Sequence, residues 1–185
     1  AAVVMKKRPL MAFTDGLPGW TVLRDTLSVS ELDAWILDGA DLWTAAASVK
    51  EQGARVLTFP VLGRERDTRY PVNRAARWHD AKVPFAFVLA ADDTEGAARL
   101  RDHVTELVRS GLPADAALAA LTQQPAAALG LAEKAGTIAA GRRADLLFWS
   151  GDPFDPASRL VRILVAGETV ERIPRAGAAS KKEDP

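Results

Sequence analysis

The sequence predicts an α/β fold built on a parallel sheet. Four short apolar runs of strand length begin near residues 9, 33, 54 and 83, and a helical segment follows each run. This alternation is typical of right-handed βαβ units. The runs are continuously apolar, as expected of parallel strands that are buried on both faces. Four units fit either a small doubly wound sheet or half of a (β/α)8 barrel, and periodicity alone does not separate the two.

Local composition assigns the elements of this first part in order. The predicted strands are Pro9–Phe13, Asp33–Leu37, Ala54–Leu62 and Val83–Ala90. The predicted helices are Thr21–Leu27, Ala40–Gly53, Val72–Ala81 and Glu95–Gly111. Gly53 and Gly111 are suited to end their helices, because glycine tolerates a positive φ. A polar, arginine-rich loop from Gly63 to Tyr70 joins the third strand to its helix.

The pattern changes after the fourth unit. Pro113–Leu131 predicts a pair of helices interrupted at Pro125. Two strands follow, at Ala144–Trp149 and Arg159–Gly167, and the turn residues "GDPFDP" lie between them. The dipeptide at 166–167 is suited to a short turn between antiparallel strands. The second part therefore adds a small all-β module to the α/β layer.

Composition narrows the functional classes. The 24 basic and 24 acidic side chains give a net charge of zero, which favours neither nucleic acid nor an anionic membrane as a partner. The chain contains no cysteine, which excludes disulfides and thiolate metal sites. No apolar run reaches the roughly 18 residues that suggest a transmembrane helix. Composition leaves homo-oligomerisation and the cellular compartment open.

Three consecutive motifs carry a family resemblance. The segments "LVRSGLPADAALAALTQQPAAALGL", "AGTIAAGRRADLLFWSGDPFD" and "VRILVAGETV" closely resemble the C-terminal signature of the amidohydrolase superfamily. The matching positions are Gly111, Leu112, Ala117, Leu118, Thr122, Pro125, Ala126, Leu129, Gly130, Gly136, Ile138, Gly141, Ala144, Asp145 and Leu146. The segment "GADLWTAAASVKEQGARVLTFPVL" resembles the imidazolonepropionase-like branch of that superfamily.

The resemblance implies a domain organisation. Residues 1–131 would be the C-terminal half of a (β/α)8 barrel with trailing helices. Residues 132–173 would be the C-terminal strands of a small composite β-sandwich, and we expect residues 174–185 to be a disordered tail. Because the chain opens on "AAVV" without methionine, we expect it to be a C-terminal fragment. Half a barrel leaves sheet edges unpaired, so the chain alone is expected to be inactive and prone to aggregation.

The resemblance also implies a chemistry, the hydrolysis of non-peptide carbon–nitrogen bonds, and with it a small-molecule substrate as the partner. The family polarises water on one or two divalent metals such as zinc, iron or manganese, held by histidines at strand ends and by an aspartate after the last strand. A metal-bound water ionises near neutral pH, and a carboxylate can accept its proton. Asp92 matches that aspartate and is the candidate catalytic base and metal ligand. Asp93 is the alternative register, and capping of the next helix is the alternative role.

The histidines that the resemblance implies after two earlier strands are missing. The chain has Ala12–Gly16 and Leu37–Asp41 in those places, and neither segment contains histidine. The histidines present, His79 and His103, fall on predicted outer helices, where a surface or packing role is favoured.

Other polar and aromatic side chains have two interpretations each. Asp15 and Asp38 end strands and could line the same mouth or bind magnesium, although a turn is the favoured interpretation of both. Five arginines near the third strand could bind an anionic substrate, with a solvated loop favoured: Arg64, Arg66, Arg69, Arg74 and Arg77. The tryptophans are core candidates, Trp43 and Trp149 especially.

Three hypotheses remain at this point. In the first, the full-length protein is a hydrolase with an unusual site completed by upstream residues, and Asp92 is its base. In the second, the barrel has lost its metal and hydrolysis, and serves as a binding or scaffold protein. The third is a flavodoxin-like binding domain, for which "TDGLPGW" is a poor phosphate loop.

Overall fold

The chain folds around a four-stranded parallel sheet. The computed structural model describes residues 9–30, 33–39, 41–65, 67–89 and 94–170. Within these ranges the strands are β1 (Leu10–Phe13), β2 (Ala34–Leu37), β3 (Arg55–Thr58), β4 (Gly63–Arg64), β5 (Pro71–Val72), β6 (Phe85–Phe87), β7 (Leu146–Trp149), β8 (Leu160–Val165) and β9 (Glu168–Thr169). The large sheet has the order β1-β2-β3-β6, and each of its pairings is parallel. The predicted α/β fold with a parallel sheet is therefore confirmed.

Helices follow the strands as predicted, with different bounds. They are α1 (Leu17–Ser30), α2 (Ala46–Glu51), α3 (Arg74–Asp80), α4 (Thr94–Arg109), α5 (Ala114–Leu121) and α6 (Gln123–Ala128). A 3₁₀ segment, Leu42–Ala45, precedes α2 where one continuous helix was predicted. Among the described residues, none of the helices has the length and apolar character needed to cross a membrane.

The break between α5 and α6 corrects one prediction. It lies at Thr122, whose backbone leaves the helical region with φ −127° and ψ −73°. Pro125 was predicted to interrupt the helices, and it instead lies inside the first turn of α6. Proline is tolerated there because the first amides of a helix have no carbonyl partner within it.

The two faces of the parallel sheet pack against different elements. One face packs on the outer helices, and its core includes Ala34, Ile36, Val56, Phe85, Phe87, Trp20, Val49, Trp78, Val104 and Leu107. The opposite face contributes Trp35, Leu57 and Ala86, which cluster with Ala128 of α6. Side chains alternate between faces along a strand, so residues 34, 36 and 38 point towards the helices.

The burial of the tryptophans differs from the prediction. Trp20, Trp35 and Trp78 are fully buried. Trp43 and Trp149, predicted as the foremost core candidates, are only half-buried. Each ring lies under a guanidinium. Cζ of Arg77 is 5.9 Å from the Trp43 ring centre, and Cζ of Arg101 is 5.1 Å from the Trp149 ring centre. Both rings therefore lie at the edge of the core, where a cation covers them.

A small hairpin begins in the predicted arginine-rich loop and ends just after it. Strands β4 and β5 pair antiparallel, and α3 begins directly after them. Asn73 caps α3, because its side chain accepts a hydrogen bond from Ala76 N–H at 3.1 Å. Its amide also donates to the carbonyls of Leu107 and Ser110, at 2.8 and 3.3 Å. One asparagine thus fastens the hairpin and α3 to the end of α4.

The C-terminal strands form a separate antiparallel sheet in the order β7-β8-β9. The turn between β8 and β9 has φ +53° at Ala166 and +88° at Gly167, which confirms the predicted two-residue turn. Phe154, from the "GDPFDP" segment, is buried in the core of the α/β layer. Arg101 of α4 donates a hydrogen bond to the carbonyl of Ser158 at 3.0 Å. These two contacts dock the module on the helical layer.

Candidate functional site

The candidate site is the edge of the parallel sheet where the strands end. Ligands of α/β sheets and barrels bind at this edge, because it is formed by the loops that follow the strands. Here β1, β2 and β3 end on the polar side chains of Thr14, Asp38 and Thr58, and all three are buried. Two more carboxylates, Asp15 and Asp41, lie in the loops after β1 and β2.

Asp38 is the centre of a buried polar cluster. Its side chain has 0% exposure and that of Arg74 has 11%, with 3.6 Å between Asp38 Oδ2 and Arg74 Nη1. The same oxygen accepts hydrogen bonds from Thr58 Oγ1 at 3.1 Å and from Trp78 Nε1 at 3.3 Å. The other oxygen, Oδ1, is buried without a hydrogen-bond partner. The cluster therefore joins β2, β3 and α3 through one carboxylate.

Burial raises the pKa of Asp38 above its ordinary value. Loss of hydration disfavours the charged form, and this is the largest influence on the group. The Arg74 guanidinium and the hydrogen bonds from Trp78 and Thr58 lower the pKa and offset part of that effect, while the negative charge of Asp41 adds to the increase.

Arg74 is held from two sides. A Cβ atom placed on Gly63 would lie 3.1 Å from Arg74 Cδ and Nε, so the base of the β4–β5 hairpin packs on the arginine stem. Arg74 Nε is itself buried without a hydrogen-bond partner. The favoured interpretation of the arginine group, a solvated loop, is therefore wrong for Arg74. It agrees with the exposure of Arg64 and Arg69, whereas Arg66 lies outside the described residues.

Asp15 and Asp41 share the first turn of α1. Leu17 N–H donates to Asp41 Oδ1 at 3.0 Å, and Gly19 N–H donates to Asp15 Oδ1 at 3.1 Å. Pro18, between Leu17 and Gly19, has no amide hydrogen. The two carboxylates thus satisfy backbone donors that the helix itself leaves free. Gly16, at φ +117°, leaves the space that the Asp41 carboxylate occupies.

The remaining predicted site residues are placed as follows. Asp92 and Asp93 lie outside the described residues, and in sequence they fall between β6 and α4. His79 is half-buried on α3, and His103 is half-buried on α4. Neither histidine makes a ligand group with other side chains, since no set of three histidine, cysteine, aspartate or glutamate residues suited to a metal occurs in the described ranges.

A divalent metal therefore does not fit the described part of this edge. Asp38 is paired with Arg74, and Asp15 is engaged with the first turn of α1. Asp15 and Asp38 belong to no set of three such ligands in the described ranges, so the structure adds no support for a magnesium site there. An ion of the kind that the resemblance implies would take its ligands from other residues of the protein.

The interpretation of Asp38 as a turn residue, which its sequence favours, misses this cluster. A signal was present in the alternation of Ala34, Ile36 and Asp38, which carries a carboxylate onto the helix-facing side of the sheet. The indole N–H of a buried tryptophan usually finds an acceptor, and that of Trp78 finds one in this carboxylate. The pairing with Arg74 had no comparable signal, since it joins residues that lie far apart in the sequence.

Comparison with known proteins places the chain in a family. The family model described as Amidohydrolase family matches residues 79–173, about half of the chain. The chain is 34% identical to the imidazolonepropionase of Thermoplasma acidophilum over 128 residues, which are 67% of this chain and 30% of that protein. The chain thus spans about a third of the length of this relative.

Solved structures agree in fold. The amidohydrolase from Thermotoga maritima MSB8 superposes with a TM-score of 0.77 at 22% identity, over 92% of this chain and 45% of that one. A zinc-bound adenosine deaminase from Xanthomonas campestris gives a TM-score of 0.59 at 17% identity, over 87% of this chain and 45% of that one. The family match over residues 79–173 favours the amidohydrolase interpretation over the flavodoxin-like alternative. The chain belongs to the amidohydrolase family and is an imidazolonepropionase-like member of it.

Proposed function

We propose that the protein carrying this chain hydrolyses non-peptide carbon–nitrogen bonds in small molecules. The observation that supports this most is the family match over residues 79–173, which includes Asp92 and the whole of α4. The identity to imidazolonepropionase adds to it. Water adds to the carbon of the C–N bond and loses a proton, and the nitrogen leaves with a proton. A carboxylate near the attacking water is suited to accept and return that proton.

Asp92 is the residue that we propose for this proton transfer. It follows β6, the last strand of the parallel sheet, and precedes α4 in the sequence. Carboxylates at the carboxyl ends of barrel strands lie at the mouth where substrates bind. The alternative, a cap for α4, predicts a loss of stability upon substitution instead of a loss of turnover.

The architecture that we propose is the C-terminal half of a (β/α)8 barrel with part of a composite β-sandwich. Phe13 of the edge strand β1 is 73% exposed, and Leu147 and Val161 of the antiparallel sheet are 59% and 64% exposed. Apolar side chains of this size on strands are normally covered. Further strands of the same protein would cover them, in keeping with the 45% of the Thermotoga maritima chain that the fold match spans.

A zinc, iron or manganese ion would polarise the attacking water in such a hydrolase. Among the residues of this chain, Asp92 is the ligand that we propose. The described residues supply no ligand group, so the remaining ligands would come from elsewhere in the protein.

The test uses the full-length protein, purified without chelator and without a histidine tag. Metal content is measured by inductively coupled plasma mass spectrometry, and hydrolysis is screened on cyclic amides and amidines. Asp92→Asn should lower turnover by about 10²-fold or more, the size of a lost general base. Asp25→Asn is the matched control, because Asp25 is an exposed residue of α1 that contacts Arg24. Full turnover in Asp92→Asn would contradict the assignment of the base.

A second candidate is a metal-free binding or scaffold protein, and the pairing of Asp38 with Arg74 favours it. That pair occupies the carboxylate at the end of β2, in the segment where the resemblance implies a histidine. This candidate predicts no bound metal after reconstitution, no hydrolysis by the wild type, and a raised unfolding midpoint with small-molecule ligands. Hydrolysis that depends on Asp92 would exclude it.

A further inference from the structure

The end of β2 carries a charge pair in place of a metal site. We propose that the Arg74 guanidinium is the permanent counter-charge of Asp38. This ion pair holds the sheet against α3, and the carboxylate does not ligate a divalent ion. The proposal is independent of the role of Asp92, because it concerns contacts between described residues alone. It identifies Asp38 and Arg74 as positioning residues for the β3–α3 connection.

The Asp38 side chain points towards the helical layer. It lies on the same face of the sheet as Ala34 and Ile36, which pack against the helices. Its partners lie on that side too, since Thr58 follows Val56 on the same face and Trp78 belongs to α3. The carboxylate is therefore enclosed between sheet and helix, with 0% exposure.

The charge next to the carboxylate also disfavours a divalent ion. A divalent ion bound to Asp38 would lie close to the Arg74 guanidinium, which is 3.6 Å from Oδ2. Like charges repel more strongly in a buried environment than in water. The ion would therefore have to displace Arg74, whose stem is wedged against Gly63.

A divalent ion would also need further ligands. Oδ1 of Asp38 is free of hydrogen bonds, and one free oxygen does not make a metal site. The nearby loop carboxylates, Asp15 and Asp41, accept hydrogen bonds from the first turn of α1. Within the described ranges, no set of three histidine, cysteine, aspartate or glutamate side chains suited to a metal includes Asp38.

The Asp38–Arg74 ion pair is also connected to the hairpin that follows β3. Arg74 is the first residue of α3, and it contacts Asp38 on one side and Gly63 of β4 on the other. The ion pair thereby holds the base of the β4–β5 hairpin at the edge of the sheet where strands end. Its loss should loosen this hairpin as well as lower global stability.

The test measures metal binding and stability in the full-length protein with Asp38→Asn, Arg74→Met, the double variant and Arg74→Lys. Zinc and manganese binding is measured by calorimetry, and unfolding is measured by urea titration with EDTA present. We expect Asp38→Asn to bind zinc and manganese with the same stoichiometry as the wild type. Asp25→Asn is again the exposed control.

The unfolding measurements test whether the Asp38–Arg74 ion pair stabilises the fold. Both single variants should unfold at lower urea with EDTA present, and the double variant should lose less than the sum of the two losses, because the partners are coupled. Arg74→Lys should retain part of the stability, since it keeps the charge, and it remains informative if Arg74→Met fails to fold. Loss of a bound metal in a folded Asp38→Asn protein would overturn the proposal. Additive losses in the double variant would overturn it as well.

Discussion

Three aspartates lie at the same edge of the parallel sheet but in two different environments. Asp38 has one of them, and Asp15 and Asp41 share the other. Asp38 is enclosed between sheet and helix and is paired with a guanidinium and two neutral donors. Asp15 and Asp41 bind amides of the first turn of α1 near the surface. The position of an aspartate at a strand end therefore does not decide its role. The element that its side chain faces decides it.

This difference has an energetic consequence. A buried charge that loses its partner is left without hydration, whereas an exposed carboxylate can exchange its partner for water. Substitutions within the Asp38 cluster should therefore cost several times more stability than substitutions at the first turn of α1.

The largest effect is expected for Asp38→Ala. It leaves Arg74 buried without a counter-charge and deprives Thr58 and Trp78 of their acceptor. Removing one partner of a buried pair costs about 3 to 5 kcal/mol. Urea unfolding monitored by tryptophan fluorescence measures it, with Asp25→Ala as the exposed control. A loss of under about 1 kcal/mol, the range of surface pairs, would show that the pair is not buried in solution.

A smaller effect on the free energy of unfolding is expected when pH changes the charge of Asp38 and the side chain stays in place. Because burial raises its pKa, the folded state binds this proton more tightly than the unfolded state does. The stability that Asp38 contributes should therefore fall as the pH rises from about 3.9, the ordinary aspartate value, through the raised folded pKa, and level off above it.

The measurement is the difference in unfolding free energy between the wild type and Asp38→Asn, followed over that pH range. We expect this difference to decrease with rising pH and then to become constant. A difference that increases with pH would mean that the Arg74 guanidinium outweighs desolvation and holds the pKa below its ordinary value.

The same contrast explains how much the sequence predicted. The parallel sheet followed from four continuous apolar runs, and the turn at Ala166 and Gly167 from local residue preference, because both are local signals. The β4–β5 hairpin was missed, since two residues a strand leave no periodic pattern. Trp43 and Trp149 were misplaced because composition does not show that arginines cover them.

The site was predictable only in part, for a related reason. The carboxylates at strand ends were found from the pattern of strands, and the capping role of Asp15 agrees with its favoured interpretation as a turn residue. The role of Asp38 depends on Arg74 and Trp78, which are 36 and 40 residues away in the sequence. Such pairings depend on the packing of α3 against the sheet, and no local motif encodes them.

A moderate effect is expected at the first turn of α1. Asp41→Ala removes the acceptor of Leu17 N–H and should cost about 1 kcal/mol, the usual value for a lost helix cap. Asp41→Asn keeps an acceptor oxygen and should retain most of this stability. Urea unfolding of both variants provides the comparison. Equal losses in the two variants would show that the negative charge matters, through the helix dipole, more than the hydrogen bond.

The smallest effect is expected for Asp15→Ala. Its bond to Gly19 N–H is exposed, so water can replace the carboxylate, and the loss should be about 0.5 kcal/mol, at the lower end for caps. Asp15 and Asp41 bind different amides, so the losses in an Asp15→Ala/Asp41→Ala double variant should add within about 0.5 kcal/mol. A much larger combined loss would mean that the first turn of α1 unravels once both carboxylates are gone. In that case Asp15 and Asp41 act as a unit, as the buried cluster does, and the contrast between the regions would be one of burial alone.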